Sequence, residues 1–400
     1  MKKSIFFVLC LLPLWAVQAQ DRVSLQTVIE LALENDIRLM PGKIQLKVSQ
    51  LQQSPSAVWE DPEVRVEPSV DSDENYFDSA LRFYLPHPWR LKADGMERAS
   101  KTAASTAELQ MGRVQVAVEM FQLYRGFQCL EKEYAFATRL IDVKQQRSEL
   151  AREQVAASVK TSTDALLLRW ELRDAQREAR TLQREMDLIK GRLAGWIGQS
   201  LDELLLDPLP EEEFSVSAGR NPAVETALEL RPDLHLLYAQ LELAESQVRQ
   251  VEAERIPWFN HVQAGYSDSS EEWQVQAAVS LPIFSFGGSK KRQALAEQSF
   301  RVAAIDASRD AISLEVNQAA RVLNNAVEEW QMQQQELGEL AGEAEKEIKA
   351  LQEYASGEPD EWMKLQERLI QAERRLLDVR RSVYAARADY LLATGQTSLN

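Results

Sequence analysis

Rows of apolar positions seven residues apart dominate the chain. One runs Met120, Phe127, Tyr134, Ile141, Ser148, Val155, apolar except for the serine. A second row, Val116, Leu123, Leu130, Ala137, fills the intervening seam positions. These are a and d positions of a heptad, which keep one side of a helix turned toward a partner helix. A matching row, Val316, Leu323, Trp330, Leu337, Ala344, Leu351, follows about 196 residues later. The pattern predicts a long helix at about 94–155 and another at about 290–354. Each is roughly 90 Å long at about 1.5 Å per residue, so they must pack side by side as a coiled bundle. Residues 156–164 are rich in Ser and Thr, and Gly357 and Pro359 interrupt the second pattern. Helical patterning then resumes, which predicts return helices at about 165–197 and 361–394 and two helical hairpins with polar tips.

Upstream of each long helix the period changes to two. Val64, Val66, Pro68 and Val70 alternate with Arg65, Glu67, Ser69 and Asp71, and Phe77, Ser79, Leu81, Phe83 and Leu85 with Asp78, Ala80, Arg82 and Tyr84. In the second half Val262, Ala264 and Tyr266 precede a polar turn. Beyond it Trp273, Val275, Ala277, Val279 and Leu281 alternate with Gln274, Gln276, Ala278 and Ser280. Strands are predicted at about 63–71, 77–85, 261–267 and 273–281, with the apolar-out, polar-in dyad of a membrane barrel. A single such hairpin equally fits an ordinary sheet with one wet face. Two of them at the same place in a repeat favour the membrane.

The repeat extends through the chain. Ala32-Leu33-Glu34 recurs as Ala227-Leu228-Glu229, Leu85-Pro86 as Leu281-Pro282, and Gly198-Gln199-Ser200 as Gly395-Gln396-Thr397-Ser398. The expected organisation is a signal peptide at 1–19, a first repeat at 20–210 and a second at 211–400 that opens with a helix at about 223–256. The signal peptide rests on Lys2 and Lys3, an apolar run from Ile5 to Trp15, and small residues before Gln20. Cys10 lies inside that run, so lipid anchoring at the cleavage site is not expected.

Composition narrows the class. Gly and Pro number only 15 and 14 in 400 residues, as long helices require. No apolar run after the leader reaches the roughly 18 residues of a membrane helix, so a membrane crossing must use strands. The net charge of −16 argues against nucleic acid and anionic headgroups and suits a water-filled conduit for cations. Beyond the leader Cys129 is the single cysteine, which rules out an intramolecular disulfide.

Little catalytic chemistry is present. His87, His235 and His261 share no ligand spacing, and there is no phosphate loop or nucleophile elbow, so no enzyme, cofactor or metal centre is expected. Asp164, Glu353, Glu358, Asp360 and Glu361 lie near the predicted tips, where they either ring a gate and select cations or cap and solvate the helices. Trp59, Trp89, Trp258, Phe259, Phe284 and Phe286 lie near strand ends, as an interfacial girdle or as packing at the junction with the helices.

Three segments resemble the TolC-like outer-membrane efflux family: the opening Val23 to Asp36, Arg231-Pro232-Asp233-Leu234 with the helix after it, and Leu281-Pro282 through Gly288. The resemblance covers essentially the whole chain beyond the leader. It implies a mostly α protein with a small β part. Long antiparallel hairpins would build a periplasmic tunnel, and four strands would join a shared twelve-stranded barrel. It further implies a homotrimer, partnered by a periplasmic adaptor and an inner-membrane pump and seated in outer-membrane lipid. Short strand connections resemble the heavy-metal-efflux branch. A type I protein-secretion channel uses the same scaffold, and a poreless periplasmic coiled-coil adaptor is the rival from another class. The first tip departs from the family by carrying Ser158 near the place of its usual glycine.

Overall fold

A computed structural model describes residues 22–53, 61–71, 74–197, 205–210, 214, 220–267, 272–281, 288–353 and 359–396. The expected leader, Trp59, Phe284, Phe286 and Glu358 lie outside the described residues, as does the Gly357 turn.

The chain runs α1 (Leu25–Asn35), a short 3-10 turn (Ile37–Leu39), α2 (Met40–Gln52), β1 (Glu63–Asp71), β2 (Glu74–Tyr84), α3 (Pro88–Ala156) and α4 (Ser162–Ile197). The second repeat follows with α5 (Arg220–Leu230), α6 (Pro232–Ala253), β3 (Trp258–Ser267), β4 (Glu272–Ser280), α7 (Gly288–Glu353) and α8 (Pro359–Thr394). The stretch read as one helix at 223–256 is two. Pro232 opens α6 at a first-turn position and holds Arg231 extended, at ψ 117°, because the proline ring clashes with a helical residue before it. β2 begins at Glu74, before the Phe77 at which alternation placed it, and β3 begins at Trp258, before His261.

Helices α3 and α7, of 69 and 66 residues, are each about 100 Å long and run the length of the molecule. Toward the strands the row is α2, α3, α6, α7; toward the hairpin tips it is α4, α3, α8, α7. Shorter helices thus stack in pairs beside two continuous ones. The heptad rows lie where the seams are: Met120, Phe127 and Ser148 are buried in α3, and Val316, Trp330 and Ala344 in α7.

Around the middle, residues 205–210 and Phe214 pack across the helices. Gln128 Nε2 donates to the carbonyls of Asp207 and Pro208, at 2.6 and 3.1 Å. The Tyr124 hydroxyl donates to the Val23 carbonyl at 2.8 Å and accepts from the Asp207 amide. Phe214 packs edge-on to Trp330 of α7 and Tyr384 of α8, with centroids 4.9 and 5.5 Å away. Cys129 is buried in the same cluster. Among the described residues, no helix is long and apolar enough to cross a membrane.

Candidate channel site: the sheet and the hairpin tips

The strands form one antiparallel sheet in the order β1-β2-β3-β4. Its β2–β3 pair joins the two repeats. Register sorts the side chains by face. Val64, Leu81, Ala264 and Val275 stand in one cross-strand row, and Phe83, Val262 and Ala277 in the next. On the other face Glu63, Arg82, Gln263 and Gln276 form a row. There the Arg82 guanidinium donates to the Gln263 side chain at 2.9 Å, and Tyr84 donates to Glu63 at 2.8 Å.

The apolar face is uncovered. Val64 is 71% exposed, Trp273 78% and Val275 75%. Water does not hold such a face bare, so it needs a partner or a lipid. Phe259 reaches the same face only because an irregularity between Phe259 and His261 shifts the register, placing it opposite Val279. Both outer strands also have one edge without a partner among the described residues.

Where the sheet meets α3 the aromatic side chains collect. The His87 ring lies 5.5 Å from both Trp89 and Trp258, Trp89 lies 6.1 Å from Trp258, and Trp258 lies 6.2 Å from Phe259. Trp258 also donates its indole N–H to the Leu85 carbonyl. These three girdle candidates therefore form one cluster at the sheet-to-helix junction, with Trp89 itself 54% exposed. The histidines stand apart in role: His87 and His235 donate to the carbonyls of Ile256 and Glu229, while His261 packs edge-on to Tyr84. Among the described residues no group of His, Cys, Asp and Glu is arranged to hold a metal ion.

At the tips the acidic candidates separate. Asp164 accepts from the Thr161 amide and hydroxyl while its own amide donates to the Thr161 hydroxyl, a reciprocal cap on α4. Those hydrogen bonds lower its carboxyl below the ordinary value. Asp360 is 8% exposed and sits in a clamp between repeats. Arg147 of α3 reaches it at 3.1 Å and Glu367 at 2.7 Å, while Lys160 and Lys364 approach Asp360 at 3.4 and 2.8 Å. Burial opposes its ionisation, but hydrogen bonds from Lys364 and Arg147 and the surrounding positive charge prevail and hold the carboxyl down to about 2. Glu361 is exposed beside it, and Glu353 is the last residue of α7.

No protein-family model matches the chain, and no curated protein does. Solved structures do. The outer-membrane protein VceC of Vibrio cholerae superimposes with a TM-score of 0.73 at 17% identity, covering 93% of this chain and 96% of its own. The MtrE outer-membrane channel of Neisseria gonorrhoeae gives 0.72 at 15%, covering 93% and 89%. CusC, whose structures concern transmembrane channel formation, gives 0.74 at 17%, covering 92% and 91%. The fold is that of the TolC-like outer-membrane channels.

Within the TolC-like fold, the residues that lock the helices together were not evident from sequence. Arg147 occupies a seam position, following Leu140 and Val143 at spacings of three and four, and a charge there is the signal that could have marked it. At the α5–α6 break Arg231 grips Asp233 through two bonds, at 3.0 and 2.7 Å. It also reaches Glu315 of α7 at 2.6 Å and the Ala393 carbonyl near the end of α8 at 3.0 Å. At the α1–α2 break Arg38 pairs with Asp36 and with Glu119 of α3, and its guanidinium lies 4.3 Å from the centre of the Trp196 ring. The signal was there in Glu119 and Glu315, which stand one repeat period apart.

Proposed function

We propose that this chain is a subunit of an outer-membrane efflux channel. It conducts solutes passively from a periplasmic adaptor and inner-membrane pump to the exterior. The observation that carries this reading is the sheet: among the described residues it has four strands, one bare apolar face, one hydrogen-bonded polar face and two unpartnered edges. In lipid an open edge leaves backbone groups unpaired, and four strands cannot close on themselves, so three copies supply a twelve-stranded barrel. The polar face then lines water and the apolar face meets acyl chains. The helical rows continue the barrel as a tunnel that ends at the hairpin tips. Three copies of the exposed Glu361 there favour cations, and Glu361→Gln is expected to lower cation preference in planar bilayers.

The two faces differ in what they tolerate. Val275→Arg places a charge against lipid, at a cost of about 2–4 kcal/mol near the midplane, and should abolish outer-membrane assembly. Gln276→Arg, one residue along on the polar face, should assemble into detergent-soluble trimers that conduct. Equal assembly of the two variants refutes the barrel reading.

A further inference from the structure

We infer that the subunits join by pairing α4 of one copy with α7 of the next through a ladder of arginines and glutamates at the tip end. Along the barrel end the same seam is apolar. The inference rests on the trimeric reading above and goes on to name the surfaces that meet.

The helix rows identify the edges. In the order α4, α3, α8, α7 the interior members are α3 and α8, and among large apolar side chains they expose only Trp89 and Leu392. The edge helices differ. Helix α4 exposes Leu166, Leu167, Trp170 and Leu188; α7 exposes Phe300, Leu314, Met332 and Leu340, among others. At the barrel end the edge opposite α7 is α2, with Ile44 61% and Leu51 69% exposed. Both edges therefore carry apolar surface that the subunit leaves bare, on the two sides that a ring of copies brings together.

Charge fixes the pairing near the tip. Helix α4 carries Arg169, Arg173, Arg177 and Arg180, all exposed, at spacings of four, four and three. Helix α7 carries Glu336, Glu339, Glu343 and Glu347, also exposed, at spacings of three, four and four. The helices run in opposite directions, so these spacings coincide when read across the seam. One register sets Arg169 opposite Glu347, Arg173 opposite Glu343, Arg177 opposite Glu339 and Arg180 opposite Glu336. That register agrees with the level of the tips, since Arg169 lies seven residues into α4 and Glu347 six before the end of α7. Within the subunit these side chains have little to do. Arg177 meets Asp174 at 3.3 Å with both largely exposed, and Glu339 accepts from Gln335.

The two stretches of seam respond differently to solvent. Exposed ion pairs are individually weak and screened by salt, whereas apolar contact is not. The ladder therefore adds a salt-sensitive share to the tip end of the seam, beside the exposed Leu166, Trp170 and Leu340, while the barrel end rests on apolar contact. The ladder gives the closed tunnel an electrostatic zip located away from the Asp360 clamp, which acts inside one subunit.

The test is a cysteine pair in the full chain, assembled in the outer membrane. Cys129 is buried and does not compete. Oxidation of Arg173→Cys with Glu343→Cys should give covalent dimers and trimers, reversed by thiol. Arg173→Cys with Gln335→Cys, displaced by about 12 Å along the helix, should give none. In bilayers Arg173→Glu with Arg177→Glu should raise conductance at least twofold, and adding Glu339→Arg with Glu343→Arg should return it to the parental level. Trimers by size that neither cross-link at the matched pair nor show this rescue overturn the ladder and leave the channel reading standing. A monomer in every detergent overturns both.

Discussion

The two repeats solve one structural problem twice, and with their letters in a different order. In each, a short helix must break beside a long one. The first break is held by Asp36, Arg38 and Glu119, the second by Arg231, Asp233 and Glu315. The glutamates stand one period apart on α3 and α7, yet the arginine follows its aspartate in the first repeat and precedes it in the second. What duplication has preserved is the three-charge interaction and the geometry it holds, not the residue order. The surroundings have diverged. The Arg38 side chain is 55% exposed, whereas that of Arg231 is 14% exposed and also satisfies the Ala393 carbonyl.

That divergence predicts unequal costs. The enclosed member differs: in the first latch it is the Asp36 carboxylate, whose side chain is 4% exposed, and in the second it is the Arg231 guanidinium, whose partners are part-exposed. Arg231→Ala leaves the Ala393 carbonyl without that donor and should destabilise the solubilised protein by about 2 kcal/mol, whereas Arg38→Ala, which leaves Asp36 its hydrogen bond from the backbone amide and loses the stacking on Trp196, should cost about 1 kcal/mol. Denaturant unfolding of the two variants side by side measures the difference. Equal losses would mean that burial does not separate the latches.

How much of this was legible follows from the range of the interactions. Met120, Phe127, Val316 and Trp330 announced the long helices because heptad spacing is local, and the hairpins followed from the breaks near Ser158 and Gly357. The strand faces were legible for the same reason, down to Val275 on the apolar face and Gln276 on the polar one. The split at Arg231 was missed because a helical pattern on both sides masked one proline. The clamp was missed because Arg147 and Asp360 are more than 200 residues apart, and only the packing of α3 on α8 brings them together. Of the acidic candidates, sequence gave both possible roles for Asp164 and Asp360. Deciding between them required knowing which neighbours stood within reach.

The tips extend the comparison. Asp164 and Asp360 each lie near the start of a return helix, but Asp164 is solvated and Asp360 enclosed. With its folded carboxyl near 2 and an ordinary value of 3.8, Asp360 contributes stability that is complete above about pH 4. The contribution fades as pH falls toward 2 and amounts to about 2 kcal/mol. Melting curves from pH 7 to 2 should therefore fall more steeply for the parent than for Asp360→Asn. Asp164→Asn should flatten the acid limb less, because that carboxyl is lowered only by its local hydrogen bonds from Thr161 and stands in solvent. Parallel curves for all three proteins would assign the acid sensitivity elsewhere.

The smallest effect concerns how the helices end. Helices α3 and α8 close with the same motif. The Val159 amide donates back to the Gln154 carbonyl at 2.8 Å, and the Gln396 amide to the Leu391 carbonyl at 3.1 Å. Both motifs need a residue of positive φ, and it is Ser158 at 60° in one and Gly395 at 71° in the other. A side chain there crowds the backbone by about 1–2 kcal/mol, while glycine loses roughly 0.5–1 kcal/mol more entropy on folding. Ser158→Gly should therefore stabilise the first tip by about 0.5–1 kcal/mol, read as slower hydrogen exchange at the Val159 and Lys160 amides. The reverse change has no such room. A Cβ at Gly395 would lie 3.1 Å from the Arg231 Cα, so Gly395→Ser should cost more than Ser158→Gly gains and should disturb the second latch. If Ser158→Gly instead speeds exchange at the tip, the serine supplies something there beyond its backbone angle, and the two helix ends are not equivalent.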